Sequence, residues 1–498
     1  MTKEYRSWVP EQSYLLPPSP MDWLPEGHLA YFVLELVGEL DVSRIEEAIQ
    51  SKDGRGTRPY SPRMMTALLL YAYCVGVFSS RKVERATYED VAFRVLAGGA
   101  HPHFTTVNAF RLEHREALAG LFVQVLRLCS RAGLSTVGHV SLDGSKIAAS
   151  ASKHKAMSYG RMKQEEQRLA AEIESLLFRA EQTDQREDEQ YGREHRPDDL
   201  PRELQRREAR LQRIREAKAA LEKEAAQARA AQLREQAAGQ SERAELAPDA
   251  GESQRAATRA AKSRSQADAL SGRPDDDDDG SGGGAVSGLP SHQVPATRSG
   301  EPTDKAQRNF TDPDSRIMVR NGVFLQAYNA QAAVSESQLV VAHAVTNQPP
   351  DTQHLVPMME RVRETCGSFP ELLSADSGYV SEANITYCAA HGIDAYLAVR
   401  RKGDDNASLG RLPMTQAREL QWEMHQKVST PRGRAIYGRR KVIVEPVFGQ
   451  IKQAMGFRRF SLRGLGKVAA EWAIVCLCHN LLKLRRTLGV LRLSAVAA

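Results

Sequence analysis

The sequence predicts an α/β protein: a mixed sheet flanked by helices, preceded by an all-helical N-terminal domain and interrupted after its first strand by a helical and then disordered insertion. Three observations predict this. From residue 310 onward, short alternating or apolar runs that read as strands are separated by stretches of helical periodicity. One further strand signal, at 137–147, stands far upstream of the others. Between the two, composition shifts first to Arg, Glu, Gln and Ala and then to Ala, Ser, Gly and Asp. At 498 residues the chain is too long for one ordinary core, so several units are expected.

Each element has a local reason. After the proline-rich start at Leu16–Pro25, Val42–Gln50 reads as helical. Ser61 and Pro62 then supply an N-cap and a first-turn proline for an apolar helix from Met64. Met64–Ser80 is free of charge but contains Thr66, Tyr71, Tyr73 and Gly76, and reads as a buried core helix rather than a membrane span. Tyr88–Leu96 carries Val91, Val95 and Leu96 on one face, Gly98-Gly99 stops it, and Thr105 starts a helix with Val107, Phe110 and Leu112. The pair fits a helix-turn-helix, with Arg111, His114 and Arg115 as phosphate contacts, and fits a plain bundle equally well. The expected helical N-terminal domain is 1–130.

Val137–Ile147 alternates around Asp143 and reads as a strand. Over 161–237, Leu169, Ile173 and Leu176, then Leu204, Leu211, Ile214 and Leu221, recur at helical spacing, as in a coiled-coil-like hairpin. Residues 238–308, with the run Asp275–Asp279 and the glycines Gly282–Gly284, hold few apolar groups and are expected to be a disordered linker. Structure is expected to resume at Phe310: a hairpin of Val323–Val334 and Gln338–Thr346, a helix Thr352–Cys366, a strand Glu371–Asp376, a helix Glu382–His391 and a strand Ile393–Val399. The sheet-bearing unit is thus assembled from 131–160 and 309–485, and two of its strands carry an acid at the end.

The formal charge is +6. It divides unevenly: residues 161–308 sum to about −4 and the remainder to about +10, which points to a polyanionic partner for the rest of the chain. Six scattered cysteines form no metal-binding pattern and read as reduced thiols of a cytoplasmic protein. Met1–Pro10 lacks the apolar region of a secretory signal, and no membrane association is expected.

Hydrolysis and transfer of phosphodiesters can use two Mg²⁺ or Mn²⁺ ions, which prefer carboxylate oxygens. Asp143 in LDGS and Asp376 in ADSGY sit beside Gly144 and Gly378, where backbone and a bulky polyanion can approach. Glu445 is the only acid between Pro431 and Ala470, among ten basic residues that include Arg439, Arg440, Lys441, Lys452, Arg458 and Arg459. A surface helix of that charge normally intersperses acids, so a lone Glu beside Val442, Ile443 and Val444 has a site to serve. A helix continuing after Pro446 carries Lys452 two turns on, on the same face. The basic side chains are candidates for DNA phosphates. Trp422, between the last strand and this helix, either packs or stacks on a displaced base.

IVEPVFGQIK, SLDGSKIAASASKHKAMSYGRM and ADSGYVSEAN, in this order with SSRKVERATYEDVAFRVLAGGAHPHFTTVNAFRLEH upstream, resemble the DDE transposases of bacterial insertion sequences with an InsH-type helical N-terminal domain. The resemblance spans nearly the whole chain outside the linker. It implies an RNase H-like core, Asp143, Asp376 and Glu445 as the three metal-binding catalytic acids, and two Mg²⁺ or Mn²⁺ ions. It also implies binding, cleavage and transfer of double-stranded DNA at terminal inverted repeats, with a homodimer in the synaptic complex. Lys452 falls at the family's spacing after the Glu. Gly438 and Lys441 stand where the related pattern has Tyr and Arg, with Tyr437 and Arg440 one residue away. Two rivals share these features: an RNase H-like nuclease or domesticated transposase that cuts without joining, and a DNA-binding or coiled-coil scaffold.

Overall fold

A computed structural model describes residues 19–52, 58–134, 137–191, 202–247, 249–271, 288–399 and 416–489. Seven helices come first: α1 (Leu29–Glu39), α2 (Ser43–Gln50), α3 (Pro62–Cys74), α4 (Ser80–Glu89), α5 (Val91–Leu96), α6 (Phe104–Glu113) and α7 (Arg115–Arg131). Ser61 caps α3 as its sequence predicts, and every residue from Met65 to Cys74 is buried, so the uncharged run is a core helix. Asp90 stops α4 and caps α5, accepting from Ala92 N at 2.8 Å.

The main sheet begins with β1 (His139–Ala148). A short strand β2 (Ala156–Ser158) leads into the long helices α8 (Tyr159–Tyr191), α9 (Arg202–Leu246) and α10 (Ala250–Ser271). The chain re-enters through β3 (Gln307–Asn309), which pairs antiparallel with β2 and closes the base of the insertion. Then follow β4 (Arg316–Arg320), β5 (Val323–Ser335), β6 (Val340–Thr346), α11 (Leu355–Cys366), β7 (Leu372–Ala375), α12 (Glu382–Ala390) and β8 (Asp394–Leu397). Four helices end the described chain: α13 (Gln416–Ser429), α14 (Pro431–Gly438), α15 (Arg440–Gly449) and α16 (Leu465–Leu488).

The strand order is β4-β5-β1-β7-β8, with β6 also on β5. β5 is long enough for its outer edge to be shared: β4 takes residues 323–327 and β6 takes residues from 329 onward. β1 is antiparallel to β5 and parallel to β7, which makes the expected mixed sheet. Helix α16 runs through the centre. Trp472 donates to Gln331 O at 3.0 Å, and the Asn480 amide pairs with both backbone groups of Val340, at 2.9 and 2.8 Å. Among the described residues α16 alone is long and apolar enough to cross a membrane, and it lies mostly inside the protein.

Two expectations need correction. The N-terminal helices share one continuous hydrophobic core with the sheet, and Arg111 is part of it. Arg111 is 5% exposed and donates to Tyr73 Oη, Phe78 O and Ser461 Oγ, each at 3.1 Å. Tyr73 in turn donates to the buried Glu471 of α16 at 3.1 Å. Arg111 therefore ties two parts of the chain together and is not available to DNA. Nor is 238–308 disordered throughout. Helix α10 pairs with α9, packing Ala267 against Ala230 and Leu233 and burying Ala260 as well, and Leu289, Val294 and Ala306 are buried beyond it. Alanine is the best helix former and packs at close range, so a stretch poor in large apolar groups can still form a helix pair. The runs Asp275–Asp279 and Gly282–Gly284 lie outside the described residues.

Candidate functional site

The register of the two central strands sets the site. Leu142 on β1 pairs with Ala375 on β7, so Asp143 and Asp376, each the next residue of its parallel strand, emerge side by side. Each carboxylate is oriented by a backbone amide: Asp143 Oδ1 accepts from Gly144 N and Asp376 Oδ1 from Gly378 N, both at 2.9 Å. Helix α15 packs over β1 and β5 and brings Glu445 to the same place. A cleft there is lined by Asp143, Gly144, Glu445, Phe448 and Lys452.

Arg440, at the first turn of α15, joins the acids. Its Nη2 is 2.7 Å from Asp143 Oδ2 and its Nη1 is 3.5 Å from Glu445 Oε1. Asp143, Asp376 and Glu445 all act electrostatically on Arg440 and on Tyr437. Burial pushes the Asp143 carboxyl up to about 6; Arg440 opposes this, while Asp376 and Asp351 add to it. Among the described residues no three His, Cys, Asp or Glu side chains already surround one point as a metal set would. The guanidinium bridges two of the carboxylates instead. Hard carboxylate donors are nonetheless the chemistry that Mg²⁺ or Mn²⁺ takes, and Asp143 with its neighbour Asp376 and the more exposed Glu445 are the side chains here that could hold it.

Asp351, overlooked in the sequence, stands directly behind Asp143. Lys146 Nζ donates to both its oxygens at 3.2 and 3.1 Å, Asn329 Nδ2 at 2.6 Å and Gln331 Nε2 at 2.8 Å, while Tyr379 donates to Gln331 Oε1. Burial would push the Asp351 carboxyl up, but His354, Lys146 and Asn329 outweigh it and pull it down to about 2. Asp351 follows Pro349-Pro350, where an Asp reads as a turn residue, so the only signal was its placement after a strand. The network explains Gly144. A Cβ there would lie 2.3 Å from Gln331 Nε2 and 2.9 Å from Asp351 Oδ1. Gly144→Ala is therefore expected to lower stability by about 1–3 kcal/mol through overpacking and to impair the Asp143 site. A thermal melt and a cleavage assay check it.

The remaining candidates divide. Lys452 lines the cleft, and burial together with Arg320 nearby lowers its ammonium from the usual range. Arg439 pairs with Glu336 at 2.8 Å, and Lys441, Arg458 and Arg459 are exposed. Arg458 Nε also donates to Lys452 O at 3.1 Å. Trp422 is 40% exposed on α13, with its ring tilted against His425.

Residues 301–481 match the family model described as Transposase DDE domain, and residues 18–113 match Transposase domain (DUF772). The chain belongs to the DDE transposases of insertion-sequence type. The transposase is thus a DNA transposase enzyme, and the DDE domain implies the RNase H-like fold to which its mixed sheet corresponds. The family is metal-dependent, generally with Mg²⁺ or Mn²⁺, and acts on DNA. The first match contains Asp376 and Glu445 but begins after β1; Asp143 is placed beside them by the strand register and by its ion pair with Arg440. No curated protein and no solved structure matches the transposase.

Proposed function

We propose that the transposase binds the terminal inverted repeats of its element and cleaves and rejoins DNA by two-metal-ion phosphoryl transfer, with Asp143, Asp376 and Glu445 as the catalytic ligands. The observation that carries the reading is the side-by-side emergence of Asp143 and Asp376 under a helix that presents Glu445. The divalent ions, when bound, supply activation of the attacking oxygen and stabilisation of the leaving one. The chain's own groups do the rest. Gly144 N and Gly378 N hold the two aspartates in orientation, and the Asp351–Lys146 pair fixes β1 from behind. Lys452 offers its ammonium to a phosphate in the cleft, and Trp422 a ring to an unpaired base. The protein works in the cytoplasm on the nucleoid, as a homodimer holding two DNA ends.

The test is nicking of a supercoiled plasmid that carries the DNA flanking the reading frame, with Mg²⁺ or with chelator, followed by joining of a labelled end into target DNA. Cutting and joining that both require the cation support the reading. Cutting without joining makes the protein a nuclease, and the absence of both activities overturns the proposal.

Binding and catalysis are expected to separate. Each phosphate neutralised by a cationic side chain contributes about −0.9 to the slope of log K against log salt. Neutralising the exposed Arg458 and Arg459 should weaken binding and make the slope less negative by up to about two. A salt titration of binding by fluorescence anisotropy checks it, and an unchanged slope would remove these residues from the DNA surface.

A further inference from the structure

The β4–β5 hairpin ends in the two-residue turn Asn321-Gly322, with φ of 51° and 76°. Both values lie in the left-handed region that a tight hairpin of this kind requires, so the tip is preformed. It is also apolar and uncovered: Val319 is 53% exposed, Val323 61% and Phe324 59%. Val319 faces Phe324 directly across the ladder, and Val323 faces Arg320, so both surfaces of the tip present apolar groups.

The tip curls back over the site. Arg320 pairs in register with Val323, whereas Lys146 pairs with Asn329, six positions further along β5. Six positions of straight strand span roughly 20 Å, beyond the reach of one side chain. Yet Arg320 Nη1 donates to Lys146 O at 3.1 Å, three residues after Asp143. Arg459 bridges to Ala148 at the end of the same strand, and Arg463 Nε donates to Ser150 O at 3.0 Å. From Arg316 to Ser335 the hairpin has no acid. An apolar point with cationic flanks, whose Arg320 lies near enough to Lys452 of the Asp143 cleft to act on its ammonium, is complementary to stacked bases inside a polyanionic backbone. Side chains of this type inserted at a base step kink and unstack DNA. A second protein chain is a poorer fit, because three side chains cover far less than the roughly 800 Å² per partner of a stable interface.

We propose that this hairpin is a DNA wedge, which inserts Phe324, supported by Val319 and Val323, between bases next to the phosphodiester held at Asp143. The inference rests on the proposed action at DNA ends. It adds a specific step: the duplex is locally unstacked by the protein before the cut.

The experiment uses the full chain and a duplex of the DNA flanking the reading frame, with 2-aminopurine placed in turn at each position near the element end. Wild-type protein should raise the fluorescence at one or two positions. Phe324→Ser should abolish the rise and bind the paired duplex about tenfold more weakly, whereas Phe324→Trp should retain both. A duplex with a ready-made mismatch at the responsive position should restore cleavage by Phe324→Ser to within about twofold of wild type, since the unstacking step is then removed. Thermal melting confirms that the exposed substitution leaves the fold intact. An unchanged fluorescence rise in Phe324→Ser overturns the wedge. So does a fall in its sedimentation mass without DNA combined with wild-type fluorescence, which would make the tip a self-association surface. Wild-type protein that neither binds nor cleaves any of these duplexes would instead overturn the transposition reading itself.

Discussion

Glu445→Gln is expected to abolish DNA cleavage, by at least about a thousandfold, while DNA binding stays intact or tightens. The substitution keeps size and shape but removes a negative charge, and with it a hard ligand for a divalent ion. Its structural cost is small, because the Glu445 side chain is 51% exposed and its contact with Arg440 is a loose 3.5 Å. Surface changes of this kind shift stability by about 0.5 kcal/mol or less. Binding should not suffer, since Glu445 is the only acid in a strip that otherwise carries ten basic residues, and losing it favours a polyanion. Plasmid nicking in Mg²⁺, anisotropy binding and a thermal melt on the same preparation separate the three quantities. Mg²⁺-dependent cleavage by a folded Glu445→Gln protein would exclude Glu445 as a ligand.

Much of this arrangement was legible in the sequence because it is local. A lone Glu in a basic helix, two aspartates flanked by glycine at strand ends, and the cap of α3 each announce themselves within a few residues. What could not be read depends on partners far along the chain. Arg111 has the spacing of an exposed helix-face residue, but its partners Tyr73 and Ser461 are 38 and 350 residues away. Asp351 acquires meaning only when Lys146, 205 residues earlier, folds onto it. Arg440 was one residue out of phase with the family pattern. The break between α14 and α15 at Arg439 starts a new helix, so spacing along the chain does not determine where the guanidinium lands. Helix α10 was missed for a different reason: alanine counts little as an apolar group but much as a helix former.

The coupling between pH and metal follows from Asp143. Its carboxyl is raised from the ordinary 3.8 to about 6, chiefly by burial, with Arg440 opposing. For an acid the sign is fixed: a native pKa above the unfolded one means that the protonated form favours folding. That contribution is full below about 4 and is lost as pH rises through about 6, amounting to about 3 kcal/mol across the window. Above it the metal-free protein carries a charge at Asp143 that burial, Asp376 and Asp351 all disfavour, and that Arg440 only partly offsets. A divalent cation relieves this charge but must displace a proton to bind at lower pH. Its affinity should therefore fall about tenfold for each unit below 6. The increase in melting temperature produced by Mg²⁺ is expected to be small at pH 5 and large at pH 8, and cleavage should rise over the same interval. Asp143→Asn, which cannot ionise, should flatten the pH dependence of metal-free stability and lose the Mg²⁺ response at both pH values. Equal Mg²⁺ stabilisation of the native protein at pH 5 and pH 8 would show that the cation does not bind at Asp143.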